Sequence, residues 1–162
     1  MNIKLLSNSY AVRQLNESDV EMIYDLSHKN SLFYQYHPPF VTTESILDDM
    51  KALPPGKTYA DKYYIGFFDN KNLVAIMDLI LAYPTEEIAF IGFFMTDIDY
   101  QNKGIGSEII NDVSSYLKSF GYKKICLGVD KGNPQSYRFW TKNKFNVIKE
   151  NEYILMEKVL DS

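Results

Sequence analysis

With 162 residues the chain is sized for one packed domain, residues 1–162, and is too short for two of equal size. Hydrophobic residues at 46% and aromatic residues at 15% exclude a disordered chain, and the 13 tyrosines suggest clefts with amphipathic walls. A formal charge of −4 supplies no bulk attraction to nucleic acid or to an anionic membrane, so neither is expected as a partner, although a local basic patch can still hold a small phosphorylated ligand.

The opening residues, MNIKLLSNSYAV, lack the basic-then-apolar plan of a secretory leader, and no apolar run reaches the ~18 residues of a membrane span, so a cytoplasmic protein is expected. Residues 10–15 (YAVRQL) read as a first strand. Residues 16–27 (NESDVEMIYDLS) read as a helix, with apolar positions at Val20, Ile23, Tyr24 and Leu26. From 28 to 43 the pattern dissolves into HKNSLFYQYHPPFVTT, whose adjacent prolines predict an aromatic-rich loop with something to contact. Residues 43–56 (TESILDDMKALPPG) predict a second short helix, capped by Thr42 or Thr43 and ended by the prolines and glycine. Three β-rich runs follow, YYIGFFD, LVAIMDLILAY and EIAFIGFFMTD, separated by short polar turns, and predict an antiparallel meander.

Next comes DYQNKGIGSEI, with Gly104 and Gly106 where strand hands over to helix. Beyond it Ile105, Ile109, Val113, Leu117 and Phe120 recur at helical spacing, predicting one buried stripe that ends at Gly121. The run KKICLGVD predicts a central strand, and its Cys126 reads as a small buried hydrophobe that has no partner for a disulfide. Residues 133–145 (NPQSYRFWTKNKF) open with Asn133 as N-cap and Pro134 at the first helical position, predicting a fourth helix. NVIKE and YILMEKVL predict a closing hairpin.

A helix start exposes N–H groups without internal partners and a partial positive charge, so it suits an anion such as pyrophosphate. Glycines there keep side chains out of the way of phosphate oxygens, though a lone GxG also serves as a plain tight turn. A dinucleotide fingerprint fits poorly, because Ile109 stands at its third glycine, and no GK[ST] follows for a P-loop.

The segment FFMTDIDYQNKGIGSEIINDV resembles the acetyl-CoA-binding segment of the GNAT N-acetyltransferase superfamily, Q/R-x-x-G-x-G/A, which residues Gln101, Asn102, Lys103, Gly104, Ile105 and Gly106 fill in order. NPQSYRFWTKNKF is similar to that family's later motif, with Asn133, Ser136, Phe139, Trp140, Lys142 and Phe145 in place. The resemblance runs end to end. It implies an α+β domain with a mixed, mostly antiparallel sheet of about seven strands, four flanking helices, and splayed central strands that form the acetyl-CoA cleft. It also implies acetyl-CoA as cosubstrate and no metal. The main-chain groups of Met95 and Thr96 would hold the pantetheine arm, with Asn133 nearby. The pyrophosphate would sit on the amides of Gln101, Asn102, Lys103, Gly104, Ile105, Gly106 and Ser107.

The implied activity is acetyl transfer to a primary amine of a small molecule or protein. An ordinary amine, pKa about 10.4, costs roughly 4–5 kcal/mol to present uncharged at neutral pH, so a base is sought. Where some relatives carry a glutamate base this chain has Phe90, and where many carry a tyrosine acid it has Trp140. Asp78 and Tyr137 are the substitutes to weigh, Asp78 more simply as a paired carboxylate and Tyr137 more simply as core. Tyr34, Tyr36, His37 and Phe40 are the expected acceptor contacts. A non-catalytic acyl-CoA-binding or sensor domain is the alternative that Phe90 and Trp140 motivate. Exposed strands or aromatic patches would allow a homodimer.

Overall fold

Residues with β-branched and aromatic side chains on alternating faces build the meander: β2 (Lys62–Asp69), β3 (Asn72–Ile80) and β4 (Ile88–Thr96) pair antiparallel in sequence order. The computed structural model describes residues 1–160. Around the meander lie β1 (Ala11–Gln14), α1 (Val20–Ser27), α2 (Ser31–Tyr36), α3 (Thr43–Lys51), α4 (Ile105–Phe120), β5 (Lys124–Asp130), α5 (Pro134–Lys142), β6 (Asn146–Glu150) and β7 (Tyr153–Val159). The seven strands form one sheet in the order β1-β2-β3-β4-β5-β7-β6, antiparallel throughout except between β4 and β5. The expected α+β architecture and closing hairpin are both present.

Side-chain alternation divides the core between the two faces of this sheet. Ile65, Phe67, Ala75, Met77, Ala89 and Ile91 pack with α4 and with Trp140 and Phe145, while Tyr64, Phe68, Ile76 and Met95 pack with Ile23, Leu26 and Ile46 of α1 and α3. On α4 the side chains of Ile109, Ile110, Val113 and Leu117 are fully buried, each contributing about 1.5–3 kcal/mol. The expected stripe is shorter than its spacing implied: Ile105 is half-buried, and Phe120 is exposed and stacks on Tyr122. Phe120 lies in the last turn of the helix.

The aromatic segment differs from its expected loop. Six of its residues form the short helix α2, which Pro38 and Pro39 follow rather than interrupt. Proline restricts itself and the residue before it, so the pair stops a helix at Tyr36 and His37 without forbidding one upstream. Thr42 caps α3, accepting a hydrogen bond from the Ser45 N–H at 3.0 Å.

Two departures from regular pairing shape the centre of the sheet. Strands β4 and β5 pair only from Ile88 with Lys124 to Ile91 with Leu127. Beyond that point β4 stays with β3 as far as Thr96 and β5 stays with β7 as far as Asp130, so the sheet opens into a wedge. The register also shifts between Asp78 and Leu79 of β3, which face Phe93 and Ile91 and leave Gly92 as an extra residue on β4. That bulge places Phe94 against Phe139 and Trp140 on one face and Phe93 against Phe33 on the other.

Candidate active site

The wedge between β4 and β5 opens into two cavities with a common wall. The first, of about 390 Å³, lies against the start of α4. Gly104 caps that helix in the left-handed region, φ +79°, where a side chain would cost roughly 1–2 kcal/mol, and no atom lies within 4 Å of the place a Cβ would take. The first rung of the helix is the Glu108 N–H donating to the Gly104 carbonyl at 3.0 Å, which leaves the N–H groups of Ile105, Gly106 and Ser107 outside the ladder. Gly106 serves differently. A Cβ there would stand 3.1 Å from Phe139 and 3.4 Å from Thr96, so its absence lets the first turn of α4 close against α5 and β4.

Gln101 anchors the turn. Its side-chain N–H donates to Asn30 Oδ1 at 2.7 Å and to the Thr96 carbonyl at 3.2 Å, and Asn30 donates to the Leu26 carbonyl in turn. Its amide is therefore spent on tying the loop to β4 and to the end of α1. Of the expected cofactor residues, Met95, Thr96, Gln101, Asn102, Gly104, Gly106 and Ser107 line this cavity together. Lys103, Ile105 and Asn133 lie outside its lining: the Lys103 ammonium stands 5.9 Å from the centre of the Tyr100 ring, and Asn133 is a buried N-cap that accepts from the Ser136 N–H at 3.2 Å. Arg138 and Lys142 of α5 add positive charge, and among the described residues no Asp or Glu lines the cavity. The sequence motif includes Lys142 but gives Arg138 no role, although their spacing of four puts the two cations on one helical face.

The second cavity, also about 390 Å³, is lined by α2, α3, the strands β3 to β5, α5 and β7. Three carboxylates face it, Asp49, Asp78 and Asp130, with His37 and, among the described residues, no Lys or Arg. Asp130 holds Nδ1 of His37 at 3.0 Å from both carboxylate oxygens. Lys62, almost wholly buried, donates to Asp78 Oδ2 at 2.9 Å, while Oδ1 of the same carboxylate is buried without a hydrogen bond. Burial pushes the Asp78 carboxyl above its ordinary pKa, against the pull of Lys62. Burial, followed by the charge of Asp78, also pushes Asp49 up.

Of the expected acceptor contacts, His37 lines this second cavity and Tyr34, Tyr36 and Phe40 do not. Tyr34 packs between Phe33 and Phe40 against the core, and burial raises its phenol to about 12. Tyr36 lies beside Gly132, and Phe40 is half-exposed. The side chain missing from the expected list is Phe33, which lines both cavities together with Phe94, Ser136 and Trp140. Those four residues are the common wall.

Phe90 faces the second cavity and Trp140 the wall, so an apolar ring stands at each place where the resemblance implied a proton carrier. Asp78 is a paired carboxylate, the simpler of its two expected readings. Tyr137 is not in the core: it is exposed and outside the lining of both cavities. Among the described residues no cluster of His, Cys, Asp or Glu is suited to a metal, and no helix is long and apolar enough to cross a membrane.

Solved structures share this fold. An acetyltransferase from Thermus thermophilus superposes with a TM-score of 0.77 at 20% identity, over 93% of this chain and 96% of that one. The PaiA N-acetyltransferase from Thermoplasma acidophilum, solved in complex with coenzyme A, gives 0.69 at 19% identity over 93% and 99%. A chimera of the Vibrio cholerae spermidine N-acetyltransferase SpeG and hSSAT gives 0.70 at 17% identity over 94% and 96%. No curated protein matches in sequence. The profile of the Acetyltransferase (GNAT) family matches residues 21–145, and the chain belongs to that family.

Proposed function

We propose that the protein is an acetyl-CoA-dependent N-acetyltransferase whose acceptor is a primary amine that arrives as a cation. The observation that carries this reading is the sorting of charge across the common wall: Arg138 and Lys142 with no carboxylate on one side, and three aspartates with no Lys or Arg on the other. A polyanionic cosubstrate and an ammonium are each matched to one cavity. An acceptor with a carboxylate beside its amine would meet Asp49, Asp78 and Asp130 and be disfavoured.

The residues present fit coenzyme A. Bound acetyl-CoA supplies the acetyl group as a thioester. The amides of Ile105, Gly106 and Ser107, with the open space over Gly104, receive a diphosphate, and Arg138 and Lys142 add charge beside it. The edge of β4 beyond Ile91, freed from β5, offers main-chain groups to a pantetheine arm. Phe94, Ser136 and Trp140 then bound the place where the carbon under attack must lie, since only there do the two cavities share walls. Holding both reactants at that wall supplies much of the acceleration by proximity.

Phe90 and Trp140 favour a second reading, a non-catalytic acyl-CoA-binding domain, because neither ring can carry a proton for the reaction. One experiment separates the two. Thiol release from acetyl-CoA is measured with purified protein across a panel of amines, some with and some without a neighbouring carboxylate. The enzyme reading expects turnover with the uncarboxylated amines, whereas tight coenzyme A binding without turnover on any amine supports the sensor.

A further inference from the structure

The strand that would normally be searched for a base has none: β4, IAFIGFFMT, carries no titratable side chain from Ile88 to Thr96. The acceptor cavity holds one imidazole, His37, at the C-terminal end of α2. A carboxylate accepts, so the contact of His37 Nδ1 with both oxygens of Asp130 at 3.0 Å calls for the hydrogen on Nδ1, and in the neutral ring the lone pair is then on Nε2. The tilted Phe33 ring, 5.2 Å from the imidazole, supports it from the common wall.

We infer that His37 is the general base that takes the proton from the acceptor's ammonium, with Asp130 as the positioning residue that fixes its ring. The inference rests on the acetyl-transfer reading above. The proton of R–NH3+ passes to Nε2, and the freed lone pair forms the N–C bond to the thioester carbon. The C–S electron pair leaves with sulfur, which takes the second proton lost from nitrogen as the amide forms, and the imidazolium returns its proton to solvent. Ammonium and thioester thus give amide, thiol and one proton.

The other groups of the cavity suit this assignment. Asp78 is held by Lys62 from β2, Asp49 faces the imidazole from α3, and Tyr153 enters from β7. Asp49 and Asp130 together stabilise the imidazolium that forms, to which the step moves the positive charge of the ammonium.

The test uses the full chain with acetyl-CoA and the fastest acceptor among n-butylamine, 1,4-diaminobutane, tyramine and lysine methyl ester. His37→Gln should lower kcat/KM near pH 7 by about 100-fold and leave a rate that climbs towards pH ~9 as solution supplies uncharged amine. Asp130→Asn should cost about tenfold, with partial recovery in Asp130→Glu. Nitrogen-15 NMR of the resting protein should show the Nδ1–H tautomer at His37 and its loss in Asp130→Asn, a readout independent of turnover. Calorimetric binding of coenzyme A shows that each variant is folded. If the parent protein turns over and His37→Gln keeps its rate within about twofold across the profile, the inference is overturned. If the parent binds coenzyme A and acetylates nothing, the acetyl-transfer reading fails and this inference with it.

Discussion

The two cavities that meet at Phe33, Phe94, Ser136 and Trp140 have equal volumes, about 390 Å³, and opposite chemistry. The one beside α4 recognises through the backbone. Its distinctive donors are main-chain N–H groups at a helix start, and its charged side chains, Arg138 and Lys142, reach in from a neighbouring helix. The one beneath α2 and α3 is built of side chains, with carboxylates from α3, β3 and β5 around an imidazole. Backbone groups held by helix geometry change little with sequence, while side-chain groups from four separate elements change with every substitution. The first cavity therefore suits a constant partner and the second a selected one.

Removing the diphosphate tests the first half of that contrast most severely. Acetyl-pantetheine, which has the acetyl end but no phosphates, should bind at least about 100-fold more weakly than acetyl-CoA, since each charge-assisted hydrogen bond contributes roughly 1.5–3 kcal/mol. Free coenzyme A should compete with acetyl-CoA at comparable concentration. Equal binding of acetyl-pantetheine would break the comparison, because the amides and cations would then have no anion to serve.

Gly104→Val acts on the same cavity from the protein side. The branched side chain enters the open space above the amides and opposes φ +79°, so coenzyme A affinity measured by calorimetry should fall about 10- to 100-fold. Stability in a denaturant titration should fall by only about 1–2 kcal/mol. A folded variant with unchanged affinity would reduce Gly104 to a turn residue.

Asp49→Asn sharpens the second half. The KM of a cationic amine should rise about five- to tenfold while that of acetyl-CoA stays put, since the carboxylate faces only the acceptor cavity. The same change should raise the melting temperature slightly near pH 7. The folded carboxyl has its pKa raised above the unfolded value, so the folded state binds the proton more tightly, and stability falls as pH rises from the unfolded pKa through the folded one. Asparagine removes that loss, and a melting temperature that drops at pH 7 but not at acid pH would contradict the assigned direction.

The smallest effect is expected at Tyr137→Phe. Its hydroxyl lies outside both cavities on an exposed side chain, so kcat and both KM values should stay within about twofold. A large fall in kcat would mean that α5 presents a different face to the reactants.

The lining of the cavity beside α4 was legible in the sequence because its information is local. Glycines two apart, a capping Asn-Pro and an apolar stripe all lie within one turn or one helix. The second cavity was not, because its contacts join distant stretches. His37 and Asp130 are 93 positions apart, and Lys62 meets Asp78 only through the register of β2 on β3. Phe33 opens the aromatic stretch that the sequence singles out, but the strong local signal of the prolines masked the short helix that carries it. The meander, by contrast, was visible because short turns leave neighbouring runs little choice but to pair.

The common wall has a further consequence for the order of events. Two separately lined cavities can be filled at once, and Cys126, the one thiol in the chain, lines neither and is buried with its pKa pushed up. On the acetyl-transfer reading proposed above, filling both cavities at once makes transfer through a ternary complex the expected order. Initial-rate lines drawn against either reactant should intersect rather than run parallel, and coenzyme A should not exchange label with acetyl-CoA until an amine is present.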